Sequence, residues 1–257
     1  ATGFADRHVE HQRDRVDTGR RLRIGLIGEG VVGPLWQPLA DAAQDRGHLV
    51  ERIDADRCRL VQADGRPQIE CAGKPIAVLD AALALGQASA GSFLSAVLRH
   101  AELGGAVTLN SAAAIASALD PVHVVQVLWA ARVPTVVTAL SNAATEPGDA
   151  VAAGADRFDG LVVDGKVVAV APAGGSPPDV AARPEAQERG MMVRAAKALG
   201  LGLVRVDLVR SGTGQLVVSR CDAAVPLDKL AAPARKRVAL TIVRALERRA
   251  KMALPAP

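Results

Sequence analysis

Apolar and polar positions follow two different grammars along the chain, and the change falls near its middle. Residues 22–28 (LRIGLIG) form a short run rich in Ile and Leu that ends in glycine, the pattern of a strand buried on both faces in a parallel sheet. Leu35, Leu39, Ala42 and Ala43 then recur at helical spacing until Gly47, and residues 48–54 (HLVERID) predict a second strand. That is a βαβ unit. Residues 62–75, with Asp64-Gly65 and Gly73, predict a hairpin. The pattern continues with a helix over 92–102, a brief strand over 106–109, two helices over 111–118 and 122–131, and a strand over 133–140. Strands and helices alternating in this way predict an α/β unit on a parallel sheet.

Residues 141–155 (SNAATEPGDAVAAGA) are small and polar and read as a linker. Beyond them, runs over 158–163 and 166–170 are joined by Asp164-Gly165, which favours a two-residue hairpin turn. A loop with Gly174, Gly175, Pro177 and Pro178 precedes a helix over 184–199, and Met191-Met192 in it read as core filling. A second hairpin (VRVDLVRSGTGQLVVSR) turns at Gly212 and Gly214. Residues 231–251 close as an amphipathic helix whose buried stripe includes Val238, Ile242 and Leu246. This half predicts α+β on an antiparallel sheet, and no internal repeat is present.

With 49% apolar residues in 257, the chain can bury a sizeable core, which excludes general disorder. Tyr is absent, and with three Phe and two Trp there are few rings on which single-stranded nucleic acid could stack. The basic run Arg235-Lys236-Arg237 with Arg244, Arg248, Arg249 and Lys251 reads as the solvated face of the last helix rather than a polyanion site. The most apolar stretch, 122–140, is broken by His123, Gln126, Arg132 and Pro134, below the ~20 apolar residues a bilayer requires. The first twenty residues carry no apolar signal core and read as a solvated tail. Cys58, Cys71 and Cys221 are odd in number and widely spaced, so a reduced, cytoplasmic setting is expected.

Candidate chemistry is sparse. Gly28, Gly30 and Gly33 match GxGxxG between a strand and a helix, and Asp54 ends the next strand. In a dinucleotide site the glycines would admit a pyrophosphate and Asp54 would accept from a ribose hydroxyl. The competing reading is a tight turn: Pro34 suits a first helical turn, whereas Pro38 requires the helix to start later. An NAD(P)-binding oxidoreductase would also need a hydride-transfer partner, and the five histidines at 8, 11, 48, 100 and 123 form no cluster. His48 and His100 read as surface or capping residues. No HxH, HExxH, paired Cys/His or GxSxG pattern is present.

Three runs, taken in order, carry a family resemblance. DAAQDRGHLVERIDADRCRL, FLSAVLRHAELGGAVTLNSAAAIASALD and AAKALGLGLVRVDLVRSGTGQLVV resemble the RimK-type branch of the ATP-grasp ligases across most of residues 22–252. The most specific part is 103–120, with its short strand, Asn-Ser pair and alanine-rich helix. The resemblance implies an ATP- and magnesium-dependent joining of a carboxylate to an amine, often glutamate, through an acyl phosphate. It also implies a pre-ATP-grasp domain over 21–108 with a Rossmann-like parallel sheet, connecting helices and strand over 109–140, and a truncated α+β ATP-grasp domain over 158–257. Residues 141–157 then stand as a linker where the family carries a lid subdomain, and 1–20 as the tail.

The departures from the family pattern point away from catalysis. Asp120-Pro121 stands where the resemblance implies Asp-Lys, and proline has no charge or donor to offer a phosphate. The lid, with its lysine and glycine-rich loop, has about fifteen residues in its place. Of the family's metal ligands, Asp207 matches the acidic residue on the penultimate strand, whereas Ser219-Arg220-Cys221 occupies the Glu-x-Asn. Only six of 31 cations are Lys, and Lys74, Lys166 and Lys197 lie in no phosphate loop. The expectation is a catalytically degenerate binding or accessory subunit with no catalytic residue, bound to a small acidic ligand, to a second copy of itself, or to a related active ligase. The alternative is an active carboxylate-amine ligase that completes its ATP and magnesium site in an oligomer.

Overall fold

The computed structural model describes residues 20–30, 36–86, 92–140, 145–147, 157–172, 184–210, 214–225 and 230–253. Its first part builds β1 (Arg23–Gly28), α1 (Trp36–Asp45), β2 (Leu49–Asp54), β3 (Cys58–Ala63), β4 (Arg66–Cys71), β5 (Lys74–Pro75), β6 (Ala81–Ala84), α2 (Phe93–Leu103) and β7 (Val107–Thr108). The parallel sheet has the order β2-β1-β6-β7, and β3-β4-β5 form a separate antiparallel sheet. α1 is described over Trp36–Asp45 and contains Pro38. β6 departs from the expected pattern. Its AALA sequence has little strand propensity, and it becomes a strand because both faces are buried between neighbours.

The chain continues through α3 (Ala112–Ala118), α4 (Pro121–Ala130), β8 (Val137–Leu140), β9 (Thr145–Pro147), β10 (Arg157–Val163), β11 (Lys166–Pro172), α5 (Ala186–Ala198), β12 (Leu203–Arg210), β13 (Leu216–Asp222) and α6 (Ala232–Met252). The second large sheet is antiparallel in the order β11-β10-β12-β13. Asp164 and Gly165 both take positive φ in the β10–β11 turn, the conformation that the Asp-Gly dipeptide favours. The outer edge of β13 is covered by Pro134 to Val136, which bond to Val218 in a parallel bridge. The segment expected as a plain linker carries β9, which pairs with β8 through Val137, Ala139 and Leu140. The rest of that segment, 141–144 and 148–156, lies outside the described residues, as do most of the tail and Gly33.

α6 is the element that holds the two sheets together. Its stripe of Val238, Ala239, Ile242, Val243, Ala245 and Leu246 packs in one cluster with Ile24 and Leu83 of the parallel sheet, Leu39 of α1, and Leu161, Val163 and Leu203 of the antiparallel sheet. Each fully buried Val, Ile or Leu contributes ~1.5–3 kcal/mol. The opposite face of the parallel sheet is covered by α2, α3 and Ile69 of the small sheet, and that of the antiparallel sheet by α5 and Leu128 of α4. Among the described residues no single helix is long and apolar enough to cross a bilayer. α3 and α4 meet such a test only as a pair bent by 99°.

Candidate functional site

A cleft of about 390 Å³ opens where the carboxyl end of β6 (Leu83 to Gly86) meets α3, α4 and the end of β13. Its walls are mostly aliphatic: Leu83, Ile115, Leu119, Val124, Val125 and Val137. Ser111 starts α3 by accepting from the Ala114 N–H at 3.0 Å. Asp120 starts α4 by accepting from the Val122 and His123 N–H groups, with Pro121 at the first helical position. The Asp120-Pro121 pair is therefore a helix cap, and Pro121 presents hydrocarbon to the cleft. No described lysine lines this space: Lys74, Lys166, Lys197, Lys236 and Lys251 are all exposed elsewhere.

The polar floor comes from the last strands. β12 and β13 place Asp207 opposite Arg220 and Arg205 opposite Asp222, and β10 places Asp159 opposite Asp207. Alternating arginines and carboxylates thus form a patch of five side chains. Arg205 grips Asp207, Nη2 donating to Oδ2 at 3.1 Å with Nε 3.0 Å from Oδ1, and Arg220 donates to Asp222 at 3.1 Å. Burial raises the pKa of Asp207 above the usual carboxylate range, and Asp159 adds to the effect. Arg205 and Arg220 oppose it without cancelling it. Cys221, next along β13, is pushed up to about 12 by burial and by the carboxylates of Asp207 and Asp222, so it is a neutral thiol. Asp159 was absent from the sequence-based candidates. The Asp164-Gly165 turn fixes its register against β11, but its pairing with β12 is long-range and left no local signal.

This donor set does not fit magnesium and a triphosphate. Mg²⁺ takes near-octahedral oxygen ligands, usually one or two free carboxylates besides phosphate oxygens and water. Here Asp207 is held by Arg205, Asp222 is held by Arg220, and positions 219 and 221 offer a hydroxyl and a thiol. The Ser219 hydroxyl already donates to the Asp207 carbonyl. Among the described residues no three His, Cys, Asp or Glu side chains converge as a metal site.

The glycine-rich turn is likewise closed on itself. Gly28 and Gly30 lie near Asp54, but the Gly30 N–H donates to Asp54 Oδ1 at 3.1 Å and to Asp56 Oδ2 at 3.0 Å. Asp54 also accepts from the Asp56 N–H and so caps a short 3-10 turn. Two carboxylates stand where a pyrophosphate would need donors.

Two polar groups singled out in the sequence serve the fold. Asn110, of the Asn-Ser pair, is 6% exposed and bonds both backbone groups of Leu203, at 2.6 and 2.8 Å, as a neighbouring strand would. His48, expected as a surface or capping residue, is 4% exposed. Its Nδ1 accepts from the Leu22 N–H, which leaves the proton on Nε2 to donate to Glu247 at 2.7 Å. Arg46 adds a second bond to Glu247 at 2.8 Å. His100 bonds the Val61 carbonyl, 3.1 Å from its Nε2.

Residues 23–115 match the family model described as the RimK PreATP-grasp domain. A probable alpha-L-glutamate ligase of Hydrogenovibrio crunogenus is 27% identical over 294 aligned positions, covering 90% of this chain and 97% of that protein. A second, of Shewanella denitrificans, is 26% identical over 90% of this chain and 99% of its own length. Because 294 positions exceed the whole 257-residue chain, the relative contains internal stretches that this chain lacks. Among solved structures, the ATP-grasp ligase PsnB complexed with a minimal precursor superposes with a TM-score of 0.67 at 16% identity, covering 86% of this chain and 97% of that one. The RimK domain protein ATP-grasp from Sphaerobacter thermophilus gives 0.63 at 14% identity, covering 86% and 98%. Residues 23–115 thus carry the RimK PreATP-grasp match, and the chain as a whole is similar in sequence to probable alpha-L-glutamate ligases and shares its fold with ATP-grasp ligases.

Proposed function

We propose that this chain is a non-catalytic member of its family, a binding or accessory subunit that does not form an acyl phosphate. The observation that carries the reading is the Arg220–Asp222 pairing on the floor of the cleft, with the Arg205–Asp207 pairing beside it on the same sheet. Each arginine neutralises a carboxylate that a dication would need, and among the described residues no lysine lines the cleft to meet a developing phosphate charge. The length difference from the curated relatives agrees with a reduced lid. Exposed Leu119, Val122 and Trp129 on α3 and α4, close to the cleft, offer an apolar surface for a second copy or for a related active ligase. The relatives are named probable alpha-L-glutamate ligases, so the substrate class nearest to this cleft is an acidic amino acid or peptide, with the exposed edge of Arg220 as its cation.

Isothermal titration of the purified chain with Mg-ATP, followed by a phosphate-release assay with glutamate, tests the reading. The expected result is no saturable binding at micromolar nucleotide and no phosphate release. Micromolar binding with phosphate release on adding glutamate would overturn it and establish a ligase whose site is completed between copies.

A further inference from the structure

The β3–β4 hairpin brings together two cysteines that are remote in sequence. Asp64 and Gly65 form its two-residue turn, both at positive φ, and the register runs from Ala63 opposite Arg66 to Cys58 opposite Cys71. The Ala72 N–H donates to the Arg57 carbonyl at 2.9 Å, so the residue pair just beyond the cysteines is a hydrogen-bonded one. Such pairs alternate along an antiparallel ladder, which makes Cys58 and Cys71 a non-hydrogen-bonded pair with Cα atoms about 4.5 Å apart. That spacing lies within the span a disulfide bridges, about 4.4–6.8 Å.

The side chains converge as well. Cys58 Sγ donates to the Asp54 carbonyl at 3.2 Å, and Cys71 Sγ lies 3.8 Å from the same oxygen. Both thiols are free, and Cys221 lies on the other sheet. Exposure differs across the pair: Cys58 is buried against Ile53 and Leu94 in the core beneath the parallel sheet, and Cys71 is partly open to solvent. Burial, followed by the neighbouring Cys71 and Asp54, pushes Cys58 up to about 12. Cys58 therefore waits as a neutral thiol, and Cys71 is the sulfur an oxidant meets first.

We propose that Cys58 and Cys71 form a reversible disulfide site that responds to hydrogen peroxide. Cys71, as thiolate, attacks the peroxide oxygen; the O–O bond breaks, water leaves, and Cys71 becomes a sulfenic acid. Cys58 then attacks the Cys71 sulfur, its proton leaving with the hydroxyl as a second water. Two thiols lose two electrons and two protons in all, and the peroxide is reduced to water. The product withdraws both S–H donors from Asp54, whose carboxylate closes the Gly30 turn. A small dithiol restores the original state by exchange.

The test is to treat the reduced full-length chain with hydrogen peroxide, block the remaining thiols and map the peptides by mass spectrometry. The expected product is an intramolecular Cys58–Cys71 cross-link, with free thiols falling from three to one and returning to three with dithiothreitol. Loss of Cys221 before the pair, cross-links only between molecules, or three surviving thiols would each overturn the proposal. In Cys58→Ser the reaction should stop at a Cys71 sulfenic acid that dimedone captures. Should that core substitution fail to fold, Cys71→Ser at the more exposed position serves instead. There Cys58 should resist peroxide, and its rapid oxidation would refute the assigned order.

Discussion

Arginines and carboxylates meet in two regions of this molecule, and the same ingredients do different things there. At the seam between the sheets the pairs are long-range. Arg46 and His48 of the parallel domain hold Glu247 on α6, while Arg249 holds Asp164 in the β10–β11 turn and the carbonyls of Thr108 and Leu109. At and beside the cleft the pairs are short-range, Arg220 with Asp222 on its floor and Arg205 with Asp207 on the neighbouring strand, each two residues apart on one strand. The seam contacts fix one domain against the other and are closely packed: a Cβ at Gly202 would lie 2.6 Å from the Leu109 carbonyl and 2.5 Å from the Arg249 guanidinium. The cleft contacts join nothing distant. They neutralise one another on the surface beside the cleft. Buried polar groups in this fold therefore act chiefly as fasteners, and those nearest the cleft leave little net field for a triphosphate.

Breaking the seam should have the largest effect. Glu247 is 6% exposed, and Glu247→Ala leaves Arg46 and His48 without their anion. Losing one partner of a buried pair costs on the order of 3–5 kcal/mol, so urea unfolding should show a free energy lower by that amount and a correspondingly lower midpoint. An unchanged midpoint would mean that the two domains do not depend on this contact. Asn110→Ala comes next, because it strands the N–H and C=O of Leu203 together. An unsatisfied buried group costs about 1–3 kcal/mol. Asn110→Asp sharpens the test, since the carboxylate keeps the acceptor but has no donor for the Leu203 carbonyl. Its loss should fall between those of wild type and alanine only at acidic pH, where the carboxyl is protonated.

The sheets were legible because their cues are local. Asp64-Gly65 and Asp164-Gly165 announced their hairpins, and LRIGLIG announced the first parallel strand. The seam was not legible. Arg46 and His48 lie 201 and 199 residues from Glu247, and nothing in the charge pattern of α6 distinguishes Glu247 from a solvated residue. His48 therefore reads from sequence as a surface or capping residue. Asn110 stands out in the sequence only as part of an Asn-Ser pair, because its partner is a backbone 93 residues away. The alanines of β6 gave no strand signal, since a strand covered on both faces is decided by its neighbours. In the cleft, Asp207 and its adjacent arginines were legible in sequence, and the missing information was which carboxylate each guanidinium would take. The cysteine pair was within reach: any hairpin turning at Asp64-Gly65 puts Cys58 and Cys71 at equal distances from the turn.

The smallest expected effect tests the comparison most sharply, because one chemical change is made in both regions. Burial alone would raise the Glu247 pKa, yet Arg46 and His48 overcome it and hold the carboxyl below its usual range. Its stabilising contribution is full above the unfolded carboxyl value of about 4.3 and is lost as pH falls through the lower folded value. Asp207 runs the other way. Burial and Asp159 keep it above its usual range, so the folded state prefers the protonated form, and stability declines as pH rises from the unfolded value of about 3.9 through the folded one. Glu247→Gln should therefore destabilise at pH 7 and converge with wild type below about pH 4. Asp207→Asn should leave the pH 7 midpoint no lower than wild type and flatten the decline above pH 4, since the amide mimics the form that the fold already favours. Urea titrations of both variants at pH 3.5, 5 and 7 read the two slopes directly. A substantial loss at pH 7 in Asp207→Asn would mean that the Arg205–Asp207 pair fastens the sheet as the seam pairs do, and the division between the two regions would fail.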